Sequence, residues 1–264
     1  MAEISVVVPV YNAKKHVKKL LKSLNKNFNF SIGEVILIDD CSKTDTAKFF
    51  DVFVKEFPQY KLFHNEKNLG FPGSCNRGMQ LSVGDVVVLL NSDTWIPEEF
   101  CERIIKCFKA DSEVGIASPL STRSSTYWFK KPFWRSLNFM NKRIRERHEC
   151  SYPILPHAEG FCFCIRRAVI EQQGMIDEIY GRGYHEEVDF AFRSITNGWK
   201  NVLIDDLYVG HRNHSSFGKK LKTAQVAKND KIFKDRWDGF YEKFIADSNW
   251  VNPIIKIKEE VLGK

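Results

Sequence analysis

This chain is poor in the features that usually assign a protein at a glance. None of its 264 residues belongs to an apolar run approaching the roughly 18 that a membrane-spanning helix needs, so only peripheral membrane attachment stays open. Seven cysteines (41, 75, 101, 107, 150, 162 and 164) form neither a CxxC pair nor a regular framework, which removes a zinc ribbon and a disulfide scaffold. Cys162 and Cys164 alternate along an apolar run and are read as sheet packing. No secretory signal precedes the first strand, so the expectation is reduced thiols in a cytoplasmic protein, at most peripheral to a membrane. There is no GxGxxG after a strand, which argues against a dinucleotide fold of the usual kind. No nucleic-acid motif is recognisable either, and no nucleic-acid partner is expected.

What is present is a series of short apolar runs that end abruptly in polar residues. Val86 to Leu90 stops at Asn91-Ser92-Asp93, Ile4 to Val10 stops at Tyr11-Asn12, and Val35 to Ile38 stops at Asp39-Asp40. Continuous apolar runs of this length read as strands buried on both faces. In open parallel sheets the carboxyl ends of such strands form the ligand-binding rim. Helical stripes alternate with them: Val17, Leu20, Leu21 and Leu24 follow the first strand, a Phe-rich segment to about Phe57 follows the second, and Phe100, Ile104, Ile105 and Phe108 follow Pro97-Glu98-Glu99. Tyr60 to His64 is a third strand candidate and Val114 to Ala117 resumes the sheet. The first 120 residues therefore read as αβ units with mostly parallel strands. An acid at such a strand end, Asp39 or Asp40, can bond a ribose or a base edge, or can cap a helix. Gly70 and Gly73 suit a loop passing close to a ligand, and Arg77 suits an anion.

Residues 121–156 break the rhythm. Tyr127 to Arg135 interleaves aromatics with three cations, and the chain as a whole has a formal net charge of +7. The segment reads as an insert over an acceptor, with aromatic faces for sugar rings and cations for phosphate, or for an anionic membrane. Gly160 to Ile165 is a strand, Arg166-Arg167 opens a short helix, and Val202 to Ile204 is a last short strand before a loop holding His211 and His214. On a helix beginning near Glu186, Glu186, Asp189 and Arg193 share a face, which leaves Glu187 about 100° around the axis, available to a cleft. The aromatic stripe Phe233, Trp237, Phe240 and Phe244 packs either on the body or on another subunit, which leaves a homodimer through the C-terminal helices open.

Taken together, Val6 to Asn12, Asp39-Asp40-Cys41-Ser42, the Asn65 to Gly70 loop, Asn91-Ser92-Asp93, Gly160, Asp177-Glu178, Glu186-Glu187-Val188-Asp189-Phe190, Arg193 and His211 resemble the inverting glycosyltransferases of family 2, with the GT-A fold. Within that family the rhamnosyltransferase-like branch, which builds surface polysaccharides, is the nearest resemblance. It implies an α/β fold with a central mostly parallel sheet flanked by helices. The implied arrangement is a catalytic domain over 1–217, with a nucleotide half (1–120) and an acceptor and base half (121–217), then a helical extension over 218–264. It implies a UDP- or dTDP-linked sugar donor, with rhamnose the first expectation, and a glycan or lipid-linked glycan acceptor. Pro9, Tyr11, Asp39, Asn68, Gly70, Arg77, Asn91, Ser92 and Asp93 are then the donor-binding residues. Asp93 and His211 are the ligands of Mg²⁺ or Mn²⁺. Glu187 is the catalytic base, with Asp189 the alternate. The motif departs from the usual DxD in having the neutral Asn91. The other reading of the same resemblance is a non-catalytic module that binds a nucleotide-sugar or a glycan.

Overall fold

A computed structural model describes residues 3–212 and 219–263; His214 and the side chain of Leu221 lie outside the described residues. Chain order in the first part is β1 (Ile4–Val10), α1 (Lys14–Asn27), β2 (Gly33–Asp39), α2 (Thr44–Glu56), β3 (Tyr60–His64), α3 (Gly70–Leu81), β4 (Val86–Leu90), β5 (Thr94–Trp95), α4 (Phe100–Ala110) and β6 (Val114–Ser121). It continues with α5 (Leu137–Arg147), β7 (Cys162–Arg166), α6 (Arg167–Gln173), a 3-10 turn (Glu178–Tyr180), α7 (Glu186–Thr196), β8 (Lys200–His211), α8 (Lys219–Trp237), α9 (Phe240–Ser248) and α10 (Ile254–Leu262).

The strands form one sheet in the order β3-β2-β1-β4-β7-β6-β8-β5. β1 pairs in parallel with β2 and β4, β2 with β3, and β6 with β8, while β7 and β5 run against their neighbours. The central strands are unbroken apolar runs because both of their faces are covered. Val6, Val8, Val35, Leu37, Val88 and Leu90 pack on one side with α1, α2 and α4, and Val7, Ile36, Ile38, Val87 and Leu89 pack on the other with α3, α6 and α7. A third cluster joins Leu137, Met140 and Ile144 of α5 to Ile254, Ile257 and Val261 of α10.

Two boundaries differ from the sequence expectation. The helix after Pro97 starts at Phe100, because Glu99 takes a left-handed backbone (φ 59°) and its carboxylate turns back to Arg103. The expected short strand at Val202 to Ile204 is instead part of a strand that continues through Asp205 and Asp206 to His211. The register explains it: Ile204 opposes Pro119 and Tyr208 opposes Leu120, so Asp205, Asp206 and Leu207 bulge out of the ladder. Both acids are buried with partners, Asp205 accepting from His148, Ser151 and Tyr152 and Asp206 from Arg103. The C-terminal aromatic stripe packs on the body of its own chain, where Trp237 and Phe240 meet Phe192 of α7 at ring centroid distances of 5.4 and 4.5 Å.

Candidate active site

The ends of β1, β2, β4 and β8, the start of β7 and the N-terminus of α7 enclose a cleft of about 440 Å³. Pro9, Tyr11, Asn68, Gly70, Asn91, Ser92, Asp93, Glu187 and His211 line it; Asp39, Arg77 and Asp189 do not. Each of those three has another partner. Asp39 is buried with Oδ2 2.7 Å from His64 Nδ1, so its carboxylate faces β3 instead of a nucleotide. Arg77 donates to the His64 carbonyl (2.7 Å) and to Asn65 Oδ1 (2.5 Å), bracing a loop. Asp189 is fully buried under Arg193 (3.0 Å), Arg236 (2.8 Å), Trp237 Nε1 (2.8 Å) and Tyr180 (3.2 Å). Enclosed by four donors and away from the cleft, this carboxylate is not placed to meet a substrate proton.

Asp40, next to Asp39, does line the cleft and acts structurally. It accepts from Asn65 Nδ2 (2.8 Å), Leu69 N (2.7 Å) and Gly70 N (3.0 Å), so it caps α3 from a neighbouring strand. Gly70 is required for protein packing: at φ 75° a Cβ there would sit 2.8 Å from the Gly181 carbonyl oxygen. The Asn65 to Gly70 loop is thereby pressed against the Gly181-Arg182 backbone, closing one end of the cleft.

At the other end Asp93 faces His211. The sequence reading placed His211 in a loop; it is the last residue of β8, paired with Thr94 and stacked on Phe161 at 4.9 Å. His211 Nδ1 lies 2.7 Å from the Arg123 carbonyl, which can only accept, so Nδ1 carries the hydrogen. In a neutral ring Nε2 then presents a lone pair towards Asp93 Oδ1 at 3.3 Å. A lone pair facing a carboxylate calls for a cation between or beside them, either a proton or a metal ion, and an imidazole with an oriented second nitrogen is a common metal ligand. Asp93 and His211 therefore fit as two ligands of a divalent ion; no cluster of three or more candidate ligands occurs among the described residues.

Opposite them, α7 begins with Glu186 and Glu187. Glu186 does not share an ion-pair face with Arg193, as its sequence position suggests; it lines the cleft beside Glu187. Both carboxyls have an Oε2 that is buried without a hydrogen-bond partner. Burial, then the charge of Glu187, pushes the Glu186 carboxyl well above its ordinary range, and burial together with the nearby Glu159 raises Glu187. Glu159 is a site residue that sequence reading missed. It is buried, lines the cleft, and accepts from the Ser125 hydroxyl (3.0 Å) and the backbone N–H groups of Thr126 (2.6 Å) and Tyr127 (3.2 Å). Gly160 follows it; a Cβ there would lie 3.2 Å from the Glu187 side chain. Of the expected insert, Ser124 and Ser125 reach the cleft, whereas Trp128, Trp134 and Arg135 do not.

The turn before α7 is strained. Tyr184 (φ 77°) and His185 (φ 74°) both adopt left-handed backbone, at a cost of about 1–3 kcal/mol each. α8 holds them in place. The fully buried Asn229 amide lies within bonding distance of the carbonyls of Tyr180 (3.0 Å), Gly183 (2.8 Å) and Tyr184 (2.8 Å). Its neighbour Asp230 accepts from His185 Nε2 at 2.6 Å, and Phe233 stacks on the same ring at 4.8 Å. The C-terminal helix thus fixes where the Glu186-Glu187 pair points.

Comparison with known proteins agrees with this fold. The profile of glycosyl transferase family 2 matches residues 5–174. The poly(ribitol-phosphate) beta-N-acetylglucosaminyltransferase TarS of Staphylococcus aureus is 34% identical over 101 residues, 38% of this chain and 18% of its own length. Glycosyltransferase GlyG of Streptococcus pneumoniae is 29% identical over 101 residues, 38% of this chain and 33% of its own. The chain therefore matches a third or less of these relatives. Among solved structures, GalNAc-T7 with UDP, GalNAc and Mn²⁺ superposes with a TM-score of 0.72 at 18% identity, covering 97% of this chain and 54% of that one. The mannosyltransferase PcManGT of Pyrobaculum calidifontis, with GDP-Man and Mn²⁺, gives 0.63 at 17% identity over 85% of this chain and 61% of the other. With the matched region running from the first strand to the end of α6 and the fold continuing through α7 and β8, the chain belongs to glycosyl transferase family 2.

Proposed function

We propose that this protein transfers a sugar, with inversion, from a nucleotide-sugar to a hydroxyl of a glycan or lipid-linked glycan. The observation that carries the reading is a single cleft bounded at one end by Asp93 and His211 and at the other by Glu186 and Glu187 with unpartnered carboxylate oxygens. Glu187 takes the proton of the acceptor hydroxyl as its oxygen bonds to the sugar's anomeric carbon; the bond from that carbon to phosphate breaks, and the nucleoside diphosphate leaves. Pro9, Tyr11, Asn68 and Gly70 line the face assigned to the nucleotide, with Asn91 and Ser92 beside Asp93. Bound Mg²⁺ or Mn²⁺, held by Asp93 and His211, would offset charge on the departing diphosphate. Glu186, kept neutral by burial, supplies an O–H donor to a sugar hydroxyl or to Glu187. Glu187 is assigned the base role because Asp189 is enclosed by its own donors.

Rhamnose from a UDP or dTDP carrier is the donor that the sequence resemblance supports, and polysaccharide synthesis the setting. Screening UDP-, dTDP- and GDP-sugars by nucleotide release tests the donor. Glu187→Gln tests the reaction: donor affinity should stay nearly constant while transfer falls by about 10² or more. Near-normal turnover in that variant would remove Glu187 as base, and donor binding without any transfer in wild type would favour a binding module. Asp93→Ala should abolish turnover that depends on a divalent ion.

A further inference from the structure

Two stretches of this chain are basic without a single acid: residues 4–33, with six Lys, and Arg123 through Arg145, with seven Lys and Arg. Only the second also exposes large aromatic side chains. The same segment carries the two most exposed aromatics on its surface, Phe133 at 87% and Trp134 at 67%. They are adjacent, meet edge-to-face at 4.7 Å, and belong to none of the three core clusters. Neither lines the cleft. Their backbone is nonetheless shaped: Arg135 N donates to the Pro132 carbonyl (3.1 Å), and Lys131 Nζ donates to the carbonyls of Pro132 (3.4 Å) and Arg135 (2.5 Å). The result is a closed knuckle with two aromatic side chains at its tip. Lys130 and Arg135 flank it, both exposed, and the Arg135 guanidinium lies 4.1 Å from the centre of the half-exposed Phe139 ring. Arg143 and Arg145, by contrast, turn inward to the Val261 carbonyl and to Glu99.

We propose that this knuckle docks the protein on an anionic phospholipid surface, Phe133 and Trp134 entering the interface and Lys130 and Arg135 meeting the head groups. The chemistry fits both parts of the feature. Aromatic side chains favour the boundary between head groups and acyl chains, and basic residues near an anionic leaflet add attraction that falls off within a Debye length. A soluble polyanion would use the cations but would gain nothing from a solvent-facing Phe beside a Trp. The docking makes no use of the reacting groups and holds or fails independently of the reaction proposed above.

The test is co-sedimentation of the full chain with vesicles of phosphatidylcholine alone and of phosphatidylcholine mixed with phosphatidylglycerol. Binding is expected to the mixed vesicles only, to weaken with salt, and to drop by about tenfold or more in Phe133→Ser/Trp134→Ser and in Lys130→Glu/Arg135→Glu. Circular dichroism of each double variant establishes that it is folded, and transfer to a short soluble acceptor should be unchanged in the Phe133/Trp134 variant. Wild-type binding that survives the aromatic substitutions, or that inorganic polyphosphate captures equally well with and without them, overturns the proposal in favour of simple attraction to polyanions. Absence of binding to the mixed vesicles at low salt overturns it outright.

Discussion

Asn229 lies on α8, outside the family match, yet the geometry ties it to the position of Glu187, the base proposed above. Its side-chain amide has two N–H groups serving three carbonyls at 2.8 to 3.0 Å, and these belong to the turn in which Tyr184 and His185 are left-handed. Asn229→Asp keeps the volume and keeps the oxygen that accepts from Gln225 (3.0 Å), but it removes both donors and sets a carboxylate against carbonyl oxygens. Losing two buried N–H bonds costs about 2–4 kcal/mol at 1–2 kcal/mol each. Relaxation of a left-handed residue returns about 1–3 kcal/mol, so the turn has reason to move. A displacement of Glu187 by about 1 Å is enough to lower turnover about 10²-fold, and a fall of 10- to 100-fold in kcat is expected. Donor affinity should fall less than kcat, because, of the face assigned to the nucleotide, only the Gly70 loop touches this turn. Glu187 should also become better solvated, which lowers its pKa and moves the acid limb of the rate profile towards the ordinary carboxylate range. Kinetics across pH, donor titration and thermal melts form the assay. A lower melting temperature with unchanged kcat and an unchanged acid limb would refute the reasoning and leave Asn229 a plain stability residue.

Three further outcomes are expected. Gly160→Ala should reduce kcat by about tenfold with little change in fold stability, because its Cβ would press on Glu187 at 3.2 Å; full activity would show that the carboxylate has room to yield. In wild type, kcat/KM should rise with pH through a value above the ordinary carboxylate range, since burial and then Glu159 raise Glu187 and only its ionised form accepts a proton; Glu159→Gln should shift that limb to lower pH. His148 lies between Asp205 (2.9 Å) and Glu260 (2.5 Å); burial lowers its pKa, but the two carboxylate bonds outweigh that and raise it. A raised folded pKa contributes stability that is fully present below the unfolded value near 6.5 and lost as pH rises through the folded value. His148→Gln should therefore cost about 3–5 kcal/mol at pH 6, and the gap in melting temperature from wild type should narrow at higher pH; a gap that widens would contradict the ion-pair assignment.

Much of the fold was legible because two-sided burial leaves an unmistakable trace: Val86 to Leu90, Ile4 to Val10 and Val35 to Ile38 read as strands for the reason that they are strands. The rim residues Asp93, His211 and Glu187 followed from motif and order. What stayed hidden depends on partners distant in sequence. Of the neighbours Asp39 and Asp40, the sequence favours Asp39 as the ligand-facing acid and Asp40 as the cap; Asp40 does cap α3, but only the fold shows Asp39 bonded to His64. Glu159 is a lone acid before a glycine, with nothing local to mark that four backbone or hydroxyl donors from the 125–127 turn converge on it. The helical wheel separated Glu187 from Glu186 by angle. It could not see that the strained turn swings both into one cleft, or that Arg236 and Trp237, some fifty positions later, enclose Asp189. Asp205-Asp206 looked like a loop because buried aspartates inside a strand are unfavourable without partners, and His148 and Arg103 come from other elements.

The bulge in β8 has a consequence for how this gene product can vary in length. Val202 and Ile204 pack with the α1 and α4 side of the sheet and Leu203 with the α5 side, yet beyond the bulge the odd-numbered Leu207 and Val209 take the first side and Tyr208 the second. Tyr208 regains a partner in Leu120 beyond the bulge and shares its side of the sheet, so the ladder and not the count of intervening residues sets the phase in which His211 emerges. The unpaired stretch is therefore a buffer against changes in length. One residue more or fewer between Ile204 and Tyr208 should leave His211 facing Asp93, whereas the same change between Tyr208 and His211, inside the ladder, should carry it to the opposite face.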